Sequence, residues 1–514
     1  MRATLILIVL LLSTPLVGAA TATGTATYTY LGGGGNEAHD SVGVATDQGG
    51  NIYVAGVTTS NDLLVTPGVY DASYNGVKDA FIAKLSPDLK TLLALTYLGG
   101  SREEMCCDIK LTPSGDVVVS GSTASADFPI VDGAQPDFGG GQYDVFVAVL
   151  SGDLTTLKGS SFLGGSGKEL GFRGHFAVNA EGDIYVACYT ESFNYPVTPG
   201  AYDTSYGGQG DGGVSVFSPD AGTLRASTYI GGSGNDWPYP LALGVGRVYV
   251  GGHVNYQGYP TTQGAYDASY NGGDGDVFLA ALDPDLKTLL ASTYLGASDF
   301  DNINSIYVEP SGDVVVAGHT GSNGFPTTEG AYSRTYRGGT RDSFVTRLDA
   351  DLKNLKASTF IGGGDTEFQA YAAPGEGGDV IVNGATKSGD YPYTSGVALG
   401  GDDTVIMVLD AALSGLRLSV PLGGSGDDTF GSIIFVNGAI YAVTSTKSSD
   451  VQCTGYDPSF NGGQDVLVAR LEYPTGTPLN PQAPPASSGG IPAYPLAAVA
   501  LGIIVCLMPR IRRR

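Results

Sequence analysis

TYLGG at residues 29–33 returns as TYLGG at 96–100, SFLGG at 161–165, TYIGG at 228–232, TYLGA at 293–297, TFIGG at 359–363 and VPLGG at 420–424. Its second residue stands at Tyr30, Tyr97, Phe162, Tyr229, Tyr294, Phe360 and Pro421, so the copies are 67, 65, 67, 65, 66 and 61 residues apart. A fixed period of this size outranks any local assignment, because it marks one supersecondary unit repeated along the chain. Seven copies fit a ring.

Each unit carries four β signals. In the first, residues 41–46 (SVGVAT) alternate, residues 47–51 (DQGGN) read as a turn and residues 52–57 (IYVAGV) are β-rich, which makes a hairpin. A polar, turn-rich loop fills residues 58–78. Residues 79–85 (DAFIAKL) predict a third strand, residues 87–90 (PDLK) a tight turn and residues 92–98 a fourth strand. The second strand recurs at residues 115–121, 182–188, 246–252, 312–318, 378–384 and 438–444. A sheet this thin, apolar on both faces, cannot bury itself, whereas radial stacking covers both faces and hides most edges. The pattern predicts an all-β fold, a seven-bladed β-propeller of four-stranded antiparallel blades. The seventh unit stops at its third strand (residues 466–473) while residues 26–31 form an orphan fourth, so the N-terminal strand is expected to complete the last blade.

The TYLGG strings, NIYVAG at 51–56, FPTTEGAY at 325–332 and the strand openings at Asp79 and Asp144 resemble the prokaryotic seven-bladed β-propeller repeat proteins known as SBBP repeats, over residues 25–473. The resemblance implies a propeller on a secreted or surface protein and brings no common activity with it.

The ends extend that expectation. Residues 1–20 read as a signal peptide: Arg2, an apolar run over 5–12, a breaker at Pro15 and small residues at 18–20. After the propeller (21–473) comes a Pro/Ser/Gly linker (474–490). The apolar run 491–509 reads as a transmembrane anchor, a helix, and the basic tail 510–514 stays inside by its arginines. This places the propeller at the extracellular face of the cell membrane. The tail also resembles prokaryotic C-terminal sorting signals, with IPAYP at 491–495 in the place of the motif.

With 51 acidic against 26 basic residues, the net charge is -25, which repels nucleic acid and favours cations as small partners. The five cysteines, Cys106, Cys107, Cys188, Cys453 and Cys506, show no metal-binding spacing; they read as free thiols or at most one inter-blade disulfide.

Loops after the second and fourth strands leave the same face, which makes that loop-rich face the default binding face. Two acidic rings lie on it. Glu37, Glu104, Glu169, Asp236, Asp301, Glu367 and Asp428 follow the LGG strings; Asp79, Asp144, Asp211, Asp276, Asp342, Asp403 and Asp465 open the third strands. Such carboxylates either accept backbone N–H bonds in tight turns or bind a hard cation such as Ca2+. Repeated loop tyrosines (Tyr70 and Tyr74, Tyr202 and Tyr206, Tyr266 and Tyr270, Tyr332 and Tyr336) fit packing between blades or stacking on sugar rings. Trp237, the single tryptophan, breaks the repeat beside Tyr239 and is the preferred ligand contact. His253 and His319 hold one repeat position in adjacent blades, as satisfied histidines or as an acid/base pair; no HExxH or nucleophile elbow occurs. The expected function is a non-enzymatic binding, adhesion or envelope module that meets a cell-envelope polymer, carbohydrate or surface protein. The alternatives are an extracellular polysaccharide hydrolase or lyase, and a purely structural coat component.

Overall fold

The computed structural model describes residues 26–474 apart from residue 173. The proposed signal peptide (1–20), nearly all of the linker and the anchor at 491–509 lie outside the described residues. Among the described residues no helix is long and apolar enough to cross a membrane.

The described strands form seven antiparallel sheets, six of them meanders in chain order and the seventh with the N-terminal strand on its outer edge. The first blade runs Glu37–Thr46, Ile52–Thr58, Asp79–Leu85 and Leu92–Leu98. Its last three strands fall where the period predicts; the first begins earlier, at the ring acid Glu37. The cause is a bulge: register slips between Glu37 and Val42, and the same slip recurs at Met105/Asp108, Pro238/Leu241, Ile303/Ser305, Phe368/Tyr371 and Thr429/Ser432. In the third blade the first strand is split into Glu169–Leu170 and Phe176–Val178. A bulge re-aims the side chains beside it, which is how the inner strands turn residues toward the ring's centre.

The N-terminal strand Thr27–Leu31 closes the ring. It pairs with Asp465–Glu472 of the seventh blade, Thr29 opposite Val468 and Leu31 opposite Val466. The apolar core sits between blades, one cluster per junction. Leu31, Val443, Val466 and Val468 of the seventh blade pack with Val42, Val54 and Phe81 of the first, as Tyr185, Val214 and Val216 of the third pack with Val250 and Phe278 of the fourth. Removing any blade would expose two such clusters to water.

The long loops differ from the expectation that they build the binding face. They leave that face but run down the outer edge of their own blade: Thr66 donates its N–H to the Leu95 carbonyl and Tyr97 donates to the Asp71 carbonyl, a pattern repeated at Thr328 to Ser358 and Phe360 to Ser333. The exposed edge of the fourth strand is thereby covered, the usual answer to an unpaired row of N–H and C=O groups. Five of the loops then latch onto the next blade. The N–H groups of Tyr70, Tyr202, Tyr266, Tyr332 and Tyr456 bond the carbonyls of Leu154, Leu286, Leu352, Leu413 and Leu89 at 2.8–2.9 Å. These leucines sit in tight turns at φ of 54–61° and are fully buried. The loop tyrosines therefore serve inter-blade packing, and Cys188 and Cys453 are free thiols.

Candidate functional site

Both acidic rings stand where the strands on the loop-rich face begin. The first-ring acids accept donors from the neighbouring turns. Glu367 takes the Gly363 N–H (3.2 Å), the Thr386 hydroxyl (2.8 Å) and the Ser388 hydroxyl (2.6 Å). Glu37 takes Gly33 N–H, Thr58 and Ser60 in the same way. The donors belong to a T-x-S string ending each second strand: Thr58/Ser60, Thr123/Ser125, Thr190/Ser192, Thr320/Ser322, Thr386/Ser388 and Thr446/Ser448. That recurrence is a signal of the sequence itself, one that marks the donors of the first ring. The fourth blade departs with Val254 and Tyr256, and there the Tyr256 hydroxyl reaches both Asp236 oxygens at 2.7 and 2.9 Å. The second-ring aspartates each accept one backbone N–H on Oδ2, as Asp79 does from Asn75 and Asp342 from Arg337. This is the turn role. As cation ligands the rings supply two carboxylates per junction, and among the described residues no three His, Cys, Asp or Glu side chains converge as a metal site.

The asymmetric feature is a row of rings across the third, fourth and fifth blades. Trp237 pairs in register with His253, and Asn302 with His319. Tyr189 stacks on Trp237 with centroids 3.9 Å apart and planes 7° apart. Trp237 lies parallel to His253 at 6.2 Å, and Tyr239 stacks on His253 at 5.5 Å. Phe172 packs edge-on against Tyr239 at 4.9 Å. Phe300 then stands between the histidines, 5.6 Å from His253 and 5.9 Å from His319. Cations close both ends: Lys168 lies 5.5 Å from the Tyr189 ring and Arg341 4.8 Å from Phe300.

The two histidines do not share a target. Arg341 donates to His319 Nε2 at 3.2 Å, which leaves His319 Nδ1–H to donate to Asn304 Oδ1 at 3.1 Å. His253 Nδ1 is buried with no partner. Burial pushes His253 down to about 4, and burial with the Arg341 charge pushes His319 down to about 3, so both are neutral near pH 7. Trp237, Tyr239, Phe172 and Phe300 are only half-buried. Beside them, a central cavity of about 380 Å³ is lined by inner-strand residues of six blades, among them Asp108, Pro240, Asn304, Tyr371 and Ser432.

The model of the SBBP beta-propeller repeat matches residues 28–63, which hold the closing strand and the first hairpin of this ring. One SBBP beta-propeller repeat is thus matched within a ring of seven blades. No curated protein matches the chain's sequence. Among solved structures, the chain is similar to a protein of unknown function from Dyadobacter fermentans, at 12% identity over 87% of this chain and 98% of that one, TM-score 0.42. It is similar to the polysaccharide lyase Uly1 at 8% identity over 87% and 99%, TM-score 0.43. The NanB sialidase of Streptococcus pneumoniae follows at 10% identity over 87% and 70%, TM-score 0.38. Likenesses this distant concern the propeller fold and say nothing of the ring row.

Proposed function

We propose that this propeller is a surface-displayed binding module, tethered through residues 491–509 outside the cell membrane, that holds a carbohydrate or similar ring-bearing polymer against the aromatic row. The supporting observation is the break in sevenfold symmetry at Trp237. Six blades place Met105, Leu170, Asn302, Phe368, Thr429 or Ala38 at that repeat position, and only the fourth supplies an indole, stacked on Tyr189 and parallel to His253. Flat rings held rigid by stacking suit the apolar faces of sugars and lose little entropy on binding. Acidic surroundings disfavour anionic polymers and leave neutral glycans as the preferred class.

A second reading, a polysaccharide-cleaving enzyme, draws on the unpartnered Nδ1 of a neutral His253, which packs against the Phe300 ring that Arg341 covers. One experiment separates them. The full chain and Trp237→Ala are applied to a glycan array, and the bound glycans are then incubated with each protein and analysed for cleavage. The binding reading expects retention of intact glycan and at least a tenfold loss on Trp237→Ala, about 1.4 kcal/mol or more. Cleavage abolished by His253→Ala supports the enzyme, and binding untouched by Trp237→Ala removes the aromatic row from the account.

A further inference from the structure

At every junction between blades, the second-ring aspartate of one blade meets the first-ring acid of the next, and one of their oxygens is left over. Asp79, Asp144, Asp211, Asp276, Asp342, Asp403 and Asp465 are all buried, and Oδ1 of each has no donor. These oxygens point at the first glycine of the LGG string, where the next blade's acid also points. At Gly32, Gly99, Gly164, Gly296 and Gly362 a Cβ would fall under 3.0 Å from an oxygen of both acids. Glycine is required there by close approach alone. In the junction of the fifth and sixth blades, Asp342 Oδ1 and Glu367 Oε2 both lack a donor, and the two carboxyl groups lie within hydrogen-bond reach, as do Asp144 and Glu169.

Two touching, buried carboxylates cannot both keep their charge; the conflict is relieved by a counter-ion or by a proton. A hard cation needs six or more oxygens, and here the glycine Cα fills the space while the turn N–H and hydroxyl groups already point at the first-ring acid. A proton needs no room. We propose that each junction binds one shared proton, the second-ring aspartic acid donating its O–H to the carboxylate of the next blade, so that the ring is held by seven acid–carboxylate clasps that tighten in mild acid.

The surroundings leave few other ways to balance the charge. The carboxylates facing the pairs are Asp71 at Asp79, Glu191 at Glu169, Asp203 at Asp211, Asp267 at Asp276, Asp299 at Asp301, Asp402 at Asp403, and Asp457 and Asp62 at Asp465 and Glu37. The facing cation is Arg337, at Asp342. The facing phenols Tyr74, Tyr206, Tyr256, Tyr270 and Tyr336 and the Cys188 thiol are pushed up by burial and stay neutral. Burial pushes Asp79 and Asp211 up to about 6, Asp144, Asp276 and Asp465 up to about 7, Asp342 up to about 8 and Asp403 upward, and it raises the first-ring acids as well, Asp301 to about 6 and Glu104, Asp236 and Asp428 to about 7, so the proton belongs to the pair. A carboxyl that holds its proton more tightly when folded adds stability that is full below about pH 4 and is lost as pH rises through its folded value. His175, His253 and His319, pushed down to about 4, 4 and 3, work in the opposite sense below about pH 6.5. Stability is therefore highest in mild acid and falls from there toward pH 8.5.

Potentiometric titration of the native full chain, its reactive thiols first alkylated, between about pH 5.5 and 8.5 tests this directly, because those three histidines do not titrate there and, outside the acid pairs, His39 and the terminal amine are the groups that add to the count. The expected result is the release of about one proton per junction beyond those two groups; release of two or fewer in total overturns the proposal. Asp342→Asn gives a second readout, since the amide donates permanently to Glu367. Its melting midpoint is expected to match the parent at pH 5 and to exceed it at pH 8, with added Ca2+ at matched ionic strength changing neither. A lower midpoint at pH 8, or a rise with Ca2+ at pH 8 that is absent at pH 5, refutes the shared proton.

Discussion

At the scale of single residues, the junction works because small and polar side chains are placed around a carboxylate that is cut off from water. Where six blades offer a threonine and a serine to the first-ring acid, the fourth offers Val254 and Tyr256, and the tyrosine alone replaces both hydroxyls with its two bonds to Asp236. Tyr256→Phe leaves Asp236 with the Gly232 N–H as its remaining hydrogen bond among those described. The expected cost is about 1–3 kcal/mol in urea unfolding, the usual penalty for stranding a buried acceptor. Adding Val254→Thr should recover part of it, because threonine bonds the acid in this position elsewhere in the ring. If Tyr256→Phe unfolds at the parental urea concentration, the hydroxyl is not what satisfies Asp236. The pairing of the two acid rings was half legible in the sequence. Asp79 and Glu104, Asp144 and Glu169, Asp211 and Asp236, Asp276 and Asp301, Asp342 and Glu367, and Asp403 and Asp428 are each 25 residues apart. The constant spacing shows equivalence, but contact across a blade boundary depends on how the blades stack, which no local pattern encodes.

At the scale of elements, strand position followed from the period and loop function did not. Ile52–Thr58, Asp79–Leu85 and Leu92–Leu98 fall where apolar runs and turn residues place them. The loop at residues 58–78 looked like a face-building loop because it is long and polar, yet its backbone groups bond the fourth strand. Those partners lie some thirty residues away in sequence, beyond the reach of turn signals. The buried leucines at positive φ were hidden for a similar reason: PDLK reads as a turn, and burial between blades is what fixes Leu rather than Gly in the left-handed position. The closing strand carries the firmest prediction at this scale. Deleting residues 26–31 removes Tyr30, whose hydroxyl bonds the Ser448 carbonyl at 2.7 Å, and Leu31, and strips the outer edge of Asp465–Glu472. Loss of two buried side chains and a ladder of backbone bonds should destabilise the ring by more than about 4 kcal/mol, read as a lower melting midpoint. A frayed terminus would instead be removed with no measurable change.

For the whole molecule, seven inter-blade cores and seven acid junctions impose near-symmetry, and function is sought where the symmetry fails. Trp237, Tyr239, Phe300 and His253 gather on adjacent blades, and Trp237 was the residue that the sequence already marked by breaking the repeat. The rest of the row was not legible: Phe300 and Phe172 lie outside the strands, and their place beside a histidine or Tyr239 is fixed only when the blades close. Everything said of the binding face and of the junctions depends on that closure, because an open stack would leave the first and seventh blades with bare apolar faces and Glu37 without Asp465. Native-state amide hydrogen exchange tests it most directly. The account predicts that the amides of residues 29–31 exchange as slowly as those of Val466 and Val468 opposite them, through global unfolding alone; exchange of residues 29–31 at the rate of an unpaired terminus, with 466 and 468 still protected, would contradict it.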